Sequence, residues 1–137
     1  MAELTRLVKR LTKEGKNFAS IATLMPDGSP QVSIIWIDSD RNHLIINTAE
    51  GRAKTNNMRR DHRIALTIVN AENPYQQVKI RGRVVEITHK GADKRIDSLA
   101  KKYLGVDKYP HHTPGEQRVI AKIIPDHVST TGDEEPA

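Results

Sequence analysis

The chain has 137 residues, a formal net charge of +5, 28% charged and 36% hydrophobic residues, and only 4% aromatic ones. That length fits one globular domain with a modest core, to which a second copy would add buried surface. The lack of cysteine excludes disulfides, thiolate catalysis and cysteine-bound zinc, and no N-terminal apolar run reaches signal-peptide or membrane-span length, so a cytoplasmic setting is expected.

Leu4, Leu7, Val8 and Leu11 recur at helical spacing opposite Arg6, Lys9, Arg10 and Lys13, which predicts an amphipathic helix ended near Gly15. Residues 18–25 read as a strand, Pro26-Asp27-Gly28-Ser29 as a tight turn, and residues 30–37 as a second strand. Alternation places Val32, Ile34 and Trp36 on one face of that strand, and Gln31, Ser33, Ile35 and Ile37 on the other. The phase of Trp36 with Val32 and Ile34 favours the core for that face. A turn is expected at 38–42, a third strand at 43–48, and a short helix or turn at 52–61. A fourth strand follows at 62–69 and a long fifth at 75–88, whose apolar phase shifts around Gly82 and so predicts a bulge. Residues 90–104 read as a helix, 105–117 as a loop, and 118–124 as the last strand, ended by Pro125. Residues 1–128 are then one domain, and 129–137 an acidic, flexible tail. Short strands joined by turns indicate a mainly β, antiparallel barrel or sandwich with flanking helices.

The positive balance suits an anionic partner. The most informative stretch runs Asn47-Thr48-Ala49-Glu50-Gly51-Arg52-Ala53-Lys54-Thr55-Asn56-Asn57-Met58-Arg59-Arg60-Asp61. Arg52 offers a planar fork of donors matched to phosphate, and Lys54 adds a point charge. Asn47 and Thr48 can donate from the strand end. If Ala53 opens a helix, free backbone amides face the same anion. Glu50, a like charge to phosphate, should turn away. Spacing alone leaves a solvated basic turn as the alternative. The stretch is neither a Walker loop nor a dinucleotide fingerprint.

These residues, together with Ala22-Thr23-Leu24, Asp27-Gly28-Ser29-Pro30-Gln31-Val32-Ser33, Gly82 and Pro125-Asp126-His127-Val128, resemble the pyridoxamine 5'-phosphate oxidase-like family of split-barrel flavoproteins over nearly the whole chain. The resemblance implies a six-stranded antiparallel split β-barrel, a homodimer, and a cofactor at the subunit interface. It is greatest to the small deazaflavin-dependent reductases, which use coenzyme F-420; other members bind FMN. An oxidoreductase moving hydride between the bound cofactor, F-420 in preference to FMN, and a small organic substrate is therefore expected, with no catalytic side chain in the usual sense. Carried over by position, Arg52 and Lys54 hold the cofactor phosphate beside Ala53. Asn47 and Thr48 assist, Gln31 and Ser33 line the ring pocket, and Asn57 braces the turn. The second subunit contributes near Tyr75 and Gln77, where related chains often carry tryptophan and tyrosine. The arginine-rich C-terminal segment of true pyridoxamine-phosphate oxidases is missing here, which argues against vitamin B6 oxidation.

Other readings rank lower. His111-His112 with Glu116 lacks the spacing of a metal site. Lys79-Ile80-Arg81-Gly82-Arg83 lacks the interleaved aromatics of a nucleic-acid sheet. No serine–histidine–carboxylate arrangement is legible. The alternatives that remain are a non-catalytic flavin- or tetrapyrrole-binding barrel and, behind it, a basic nucleic-acid-binding barrel.

Overall fold

A computed structural model describes residues 3–132. Helix α1 (Arg6–Lys13) begins where the Thr5 hydroxyl accepts the Val8 amide at 3.2 Å, and it buries Leu7, Val8 and Leu11. Strands β1 (Phe18–Leu24) and β2 (Pro30–Trp36) form a hairpin. Its turn is locked by the Asp27 carboxylate, which accepts the Ser29 amide at 2.9 Å, and by Gly28 at φ 86°. A two-residue strand β3 (Asp38–Ser39) precedes β4 (Leu44–Ala49), and α2 (Ala53–Arg60) leads to β5 (Arg63–Asn70). The long β6 (Asn73–Thr88), α3 (Ala92–Leu104) and β7 (Arg118–Thr131) complete the chain.

All strands join one antiparallel sheet in the order β2-β1-β5-β6-β7-β4-β3. The sheet curls into a half-barrel because its two longest strands bend. Register shifts fall between Arg81 and Gly82 and between Val84 and Glu86 of β6, against β7. A Cβ on Gly82 would lie 2.3 Å from the Ile124 carbonyl oxygen, so only glycine allows the strands to approach this closely. Inside the curl lie Ile21, Ile37, Leu44, Ile46, Met58, Ile68, Ile80 and Ile123, all buried. Each is worth about 1.5–3 kcal/mol of apolar burial.

Helix α3 packs Ile96, Leu99 and Tyr103 against Trp36 and Tyr109. The Tyr103 hydroxyl donates to the Asn17 carbonyl and accepts the Ile37 amide at 3.2 Å, and burial pushes its phenol up to about 12. Lys102 donates to the Thr12 carbonyl and, at 2.9 Å, to that of Ile37; its own burial pushes the ammonium down to about 8. Asp38 binds Lys13 and Arg95 at 2.8 Å each. These polar ties fix α1 and α3 to the β2–β3 corner.

The fold class is the one expected, with three differences. A seventh strand appears because β3 pairs with Leu44 and Ile45 inside the stretch read as a turn. Pro125 does not end the last strand. It sits opposite Gly82 at the register shift, where a missing amide costs no ladder bond, and β7 runs on to Thr131. The first residues of the expected tail are thus strand, and 133–137 lie outside the described residues. Lastly, the core takes the other face of β2: Ile35 and Ile37 are buried, whereas Val32 and Ile34 are 66% and 68% exposed.

Gly82→Ala should destabilise the protein by about 2 kcal/mol or more through backbone displacement at Ile124. The check is urea denaturation beside the wild type; an unchanged midpoint would mean that the bend does not depend on this approach.

Candidate functional site

Beneath the loop 105–117 lies a cavity of about 210 Å³, lined by Phe18, Ile34, Trp36, Leu99 and Tyr109 on one side and by Asn47, Arg52, Lys54, His111 and Arg118 on the other. The apolar side is built by α3 and the end of β2. The Trp36 ring stacks on Tyr103 at 5.1 Å between centroids, and Tyr109 meets Trp36 edge-on at 5.9 Å. The Tyr109 amide is tied to the Asp97 carboxylate at 2.9 Å, which holds the loop down on this floor.

The polar side follows from the pairing of β4 with β7. Arg118 opens β7 opposite Ala49, the last residue of β4, and its side chain is only 3% exposed. Its Nε donates to Asn47 Oδ1 at 2.8 Å, while Asn47 Nδ2 donates to the Ala92 carbonyl at 2.8 Å. Asn47 therefore aims Arg118 and ties β4 to α3. After Gly51 (φ 87°) the chain turns into α2. Arg52 occupies its N-cap without a side-chain cap bond, so the first amides of α2 keep their donors free of an intrahelical partner.

Lys54 is the unusual group. It is 9% exposed, lines the cavity, and has no hydrogen-bond or ion-pair partner among the described residues. Burial, followed by the charges of Arg52 and Arg118, pulls its ammonium below the ordinary 10.5. Against these three cations stands one acid among the described residues. Glu116 accepts Arg118 at 2.8 Å and Arg52 at 3.3 Å. Burial works to raise its pKa, but the bonds from Arg118 and the Thr113 amide, with both arginine charges, hold the carboxyl below its ordinary value. Three cations and one carboxylate leave the site two positive charges in excess. Buried charge of one sign lowers the energy of an incoming anion, most of all one with several acceptor oxygens.

Of the residues singled out in the sequence, Asn47, Arg52 and Lys54 meet at this cavity, and Ala53 opens α2. Glu50 turns to Arg59 at 2.6 Å and His89 at 3.0 Å. Thr48 is fully buried under α2, 3.1 Å from the Thr55 hydroxyl. Asn57 donates to the Thr23 hydroxyl at 3.0 Å and accepts Arg60 at 2.8 Å, fastening α2 to the hairpin. Gln31 Oε1 accepts that same Thr23 hydroxyl at 3.4 Å. Ser33 points to the inner face of β2, its Oγ buried without a partner among the described residues. Tyr75, 83% exposed, and Gln77 lie on β6 outside the cavity. His112 approaches Asp97 at 3.7 Å while His111 lines the cavity, so the two histidines part company. Arg118 and the Trp36–Tyr109 floor were not foreseen. Both arise from contacts between segments far apart in sequence.

The family model described as pyridoxamine 5'-phosphate oxidase matches residues 5–132. The chain belongs to the pyridoxamine 5'-phosphate oxidase family of split barrels. Among solved structures it is similar to an F420 reductase, at 26% identity over 88% of this chain and 94% of that one, with a TM-score of 0.75. The same fold is seen at 12% identity in the haem storage protein HutZ of Vibrio cholerae, with 96% of each chain covered and a TM-score of 0.63. It recurs at 15% identity in a haem-binding protein of Mycobacterium smegmatis, covering 93% of this chain and 54% of that one, with a TM-score of 0.66. No helix among the described residues is long and apolar enough to cross a membrane.

Lys54→Met should stabilise the ligand-free protein at pH 7 by about 1 kcal/mol, because it removes a buried, unpaired charge. The sign with pH is fixed. The folded pKa lies below the unfolded 10.5, so between the two the unfolded chain holds more protons and stability rises with pH. Lys102, lowered to about 8, adds a rise of the same sign, so the variant should keep that share and lose only the share of Lys54, leaving a shallower slope. Urea midpoints of both proteins at pH 7 and pH 10 read the difference; a destabilised variant with an unaltered pH slope would contradict the electrostatic account.

Proposed function

We propose that the chain binds a phosphate-bearing flavin-type cofactor, a deazaflavin of the coenzyme F-420 kind in preference to FMN, and acts as a reductase. The observation that carries this reading is Lys54, an unpartnered ammonium nine-tenths buried beside Arg52 and Arg118, at the polar end of a cavity with an aromatic floor. The F420 reductase likeness supports the deazaflavin choice. The residues present fit such a group. Arg52, Lys54 and the amides at Ala53 would hold the phosphate, with Asn47 steadying Arg118, and Thr48 and Asn57 fixing α2. Gln31 and Ser33 are left out of this assignment: neither lines the cavity, and they alternate with Ile34 and Trp36 on the opposite face of β2. When bound, the group supplies hydride transfer to or from a small organic substrate. Ile34, Trp36 and Tyr109 would keep water from that end of the cavity.

The reading includes a homodimer. A cavity of about 210 Å³ falls short of the roughly 300–1,000 Å³ usual for cofactor pockets. Beside it, Val32 and Ile34 offer an exposed apolar strip that continues into a groove of about 580 Å³ across the outer face of β1, β5, β6 and β7. A second copy seated there would complete the site, with Tyr75 and Gln77 of the partner subunit reaching the cofactor. Ile34→Lys should shift the protein from dimer to monomer in light scattering and weaken cofactor binding; an unchanged mass would remove β2 from the interface.

A second reading is a non-catalytic tetrapyrrole carrier. It is favoured by His111 at the cavity, whose imidazole would hold a haem iron, and by the fold shared with haem proteins.

Parallel fluorescence titrations of F-420 and FMN into wild type, Arg52→Ala and Lys54→Ala separate these. Binding in the micromolar range or tighter, weakened at least tenfold (about 1.4 kcal/mol) by either substitution, supports the phosphate site and picks the cofactor. Affinity untouched by both substitutions would sink it. Haemin binding that loses its Soret shift in His111→Ala would favour the carrier instead.

A further inference from the structure

Glu116 sits where an anion should go. Among the described residues its carboxylate is the one acid paired with cations of the cavity, joined firmly to the buried Arg118 at 2.8 Å and loosely to the half-exposed Arg52 at 3.3 Å. The same carboxylate accepts the Thr113 amide at 3.3 Å, and the Glu116 amide returns to the Thr113 carbonyl at 3.0 Å. So the group that neutralises the site also folds the 113–116 turn. Arg118 stacks its guanidinium over Tyr109 at 5.2 Å, which links that turn to the aromatic end of the loop.

We infer that Glu116 is a specificity-determining residue: a resident counter-anion that competes with the ligand's phosphate for Arg52 and Arg118, and whose displacement loosens the loop 105–117. Resting on the phosphate-site reading, this adds a cost to entry. An anion must offer the arginines more than one carboxylate does, and a phosphate brings more charge and more acceptor oxygens to the same donors. Chloride or a simple carboxylate brings less, so the ligand-free pocket resists occupation by abundant weak anions. The Arg52 link is the one to break first, being the longer and the more exposed.

Orthophosphate is the probe, titrated by calorimetry at pH 8 into wild type, Glu116→Gln, Arg52→Ala and Lys54→Ala. Glu116→Gln keeps the side-chain shape and an acceptor for Arg118 while removing the competing charge. It should tighten orthophosphate about five- to tenfold. Unchanged or weaker binding in Glu116→Gln would overturn the inference, since Glu116 would then merely position Arg118. Hydrogen exchange on the wild type gives a readout that needs no variant: saturating orthophosphate should speed exchange in 105–117, and slowed or unaltered exchange there counts against displacement. The two failures are distinct. If Arg52→Ala and Lys54→Ala weaken binding but Glu116→Gln does not tighten it, only the role of Glu116 falls; if no protein binds orthophosphate, the phosphate site falls with it.

Discussion

The close approach of β6 and β7 at Gly82 governs the rest of the molecule. A carbonyl of Ile124 lies where any Cβ would be, and the register shifts there let two long strands bend together instead of running flat. β7 lies between β6 and β4: Ile120–Ile123 pair with both strands, while Pro125–Thr131 pair with β6 alone. The β4–β7 register places Arg118 opposite Ala49, at the end of the strand that leads into α2. The bend at Gly82 lets one long strand serve both neighbours, and the cationic site forms where its N-terminal end meets β4.

The electrostatics run against stability, as expected where a site awaits a partner. Burying Lys54 among two guanidiniums is unfavourable, and Glu116 pairs with the guanidiniums and not with the ammonium. Elsewhere the same chain satisfies its buried charge with care: Asp38 has two cations and a backbone amide, and Lys102 has two carbonyls. The contrast separates polar groups that tie elements together from one that faces a cavity without a partner among the described residues. Lys102 and Lys54 are both displaced downward by burial, yet the former ties α3 to α1 and the latter faces an open cavity.

Local signals carried much of the fold. Helical spacing of Leu7, Val8 and Leu11, the Asp27-Gly28 turn and the phase shift near Gly82 each act within a few residues, and each has its counterpart in the structure. The misreadings concern quantities that sequence spacing does not hold. Both faces of β2 are apolar, so alternation separates Ile35 from Ile34 without telling which is buried; the burial of Ile35 depends on strands β4 to β6, far along the chain. Pro125 looked like a terminator because its missing amide matters in a regular ladder, and here it falls on an irregular one. At the site, Arg52 and Lys54 were legible since their chemistry is local, on one turn. Arg118 was not, because its position depends on the β4–β7 register.

The division of the cavity into an aromatic floor and a cationic wall has a further consequence for its size. Trp36 stacks on Tyr103 and meets Tyr109 edge-on, so its ring is held from two sides and cannot turn aside by a rotamer change alone, whereas Tyr109 belongs to the loop 105–117. The wall is tethered through Asn47 to α3 and through Thr55 to the Ala49 carbonyl, so it cannot retreat either. Room for a ring larger than the present volume must come from the loop 105–117 or from beyond the rim of β2. Val32 and Ile34 stand at that rim, apolar and exposed. A planar ring extending across them would remain wet on one side unless another surface covered it. A single chain thus presents a tethered cationic wall and, beside it, an apolar rim left open to solvent, which is the physical ground on which a second copy is proposed.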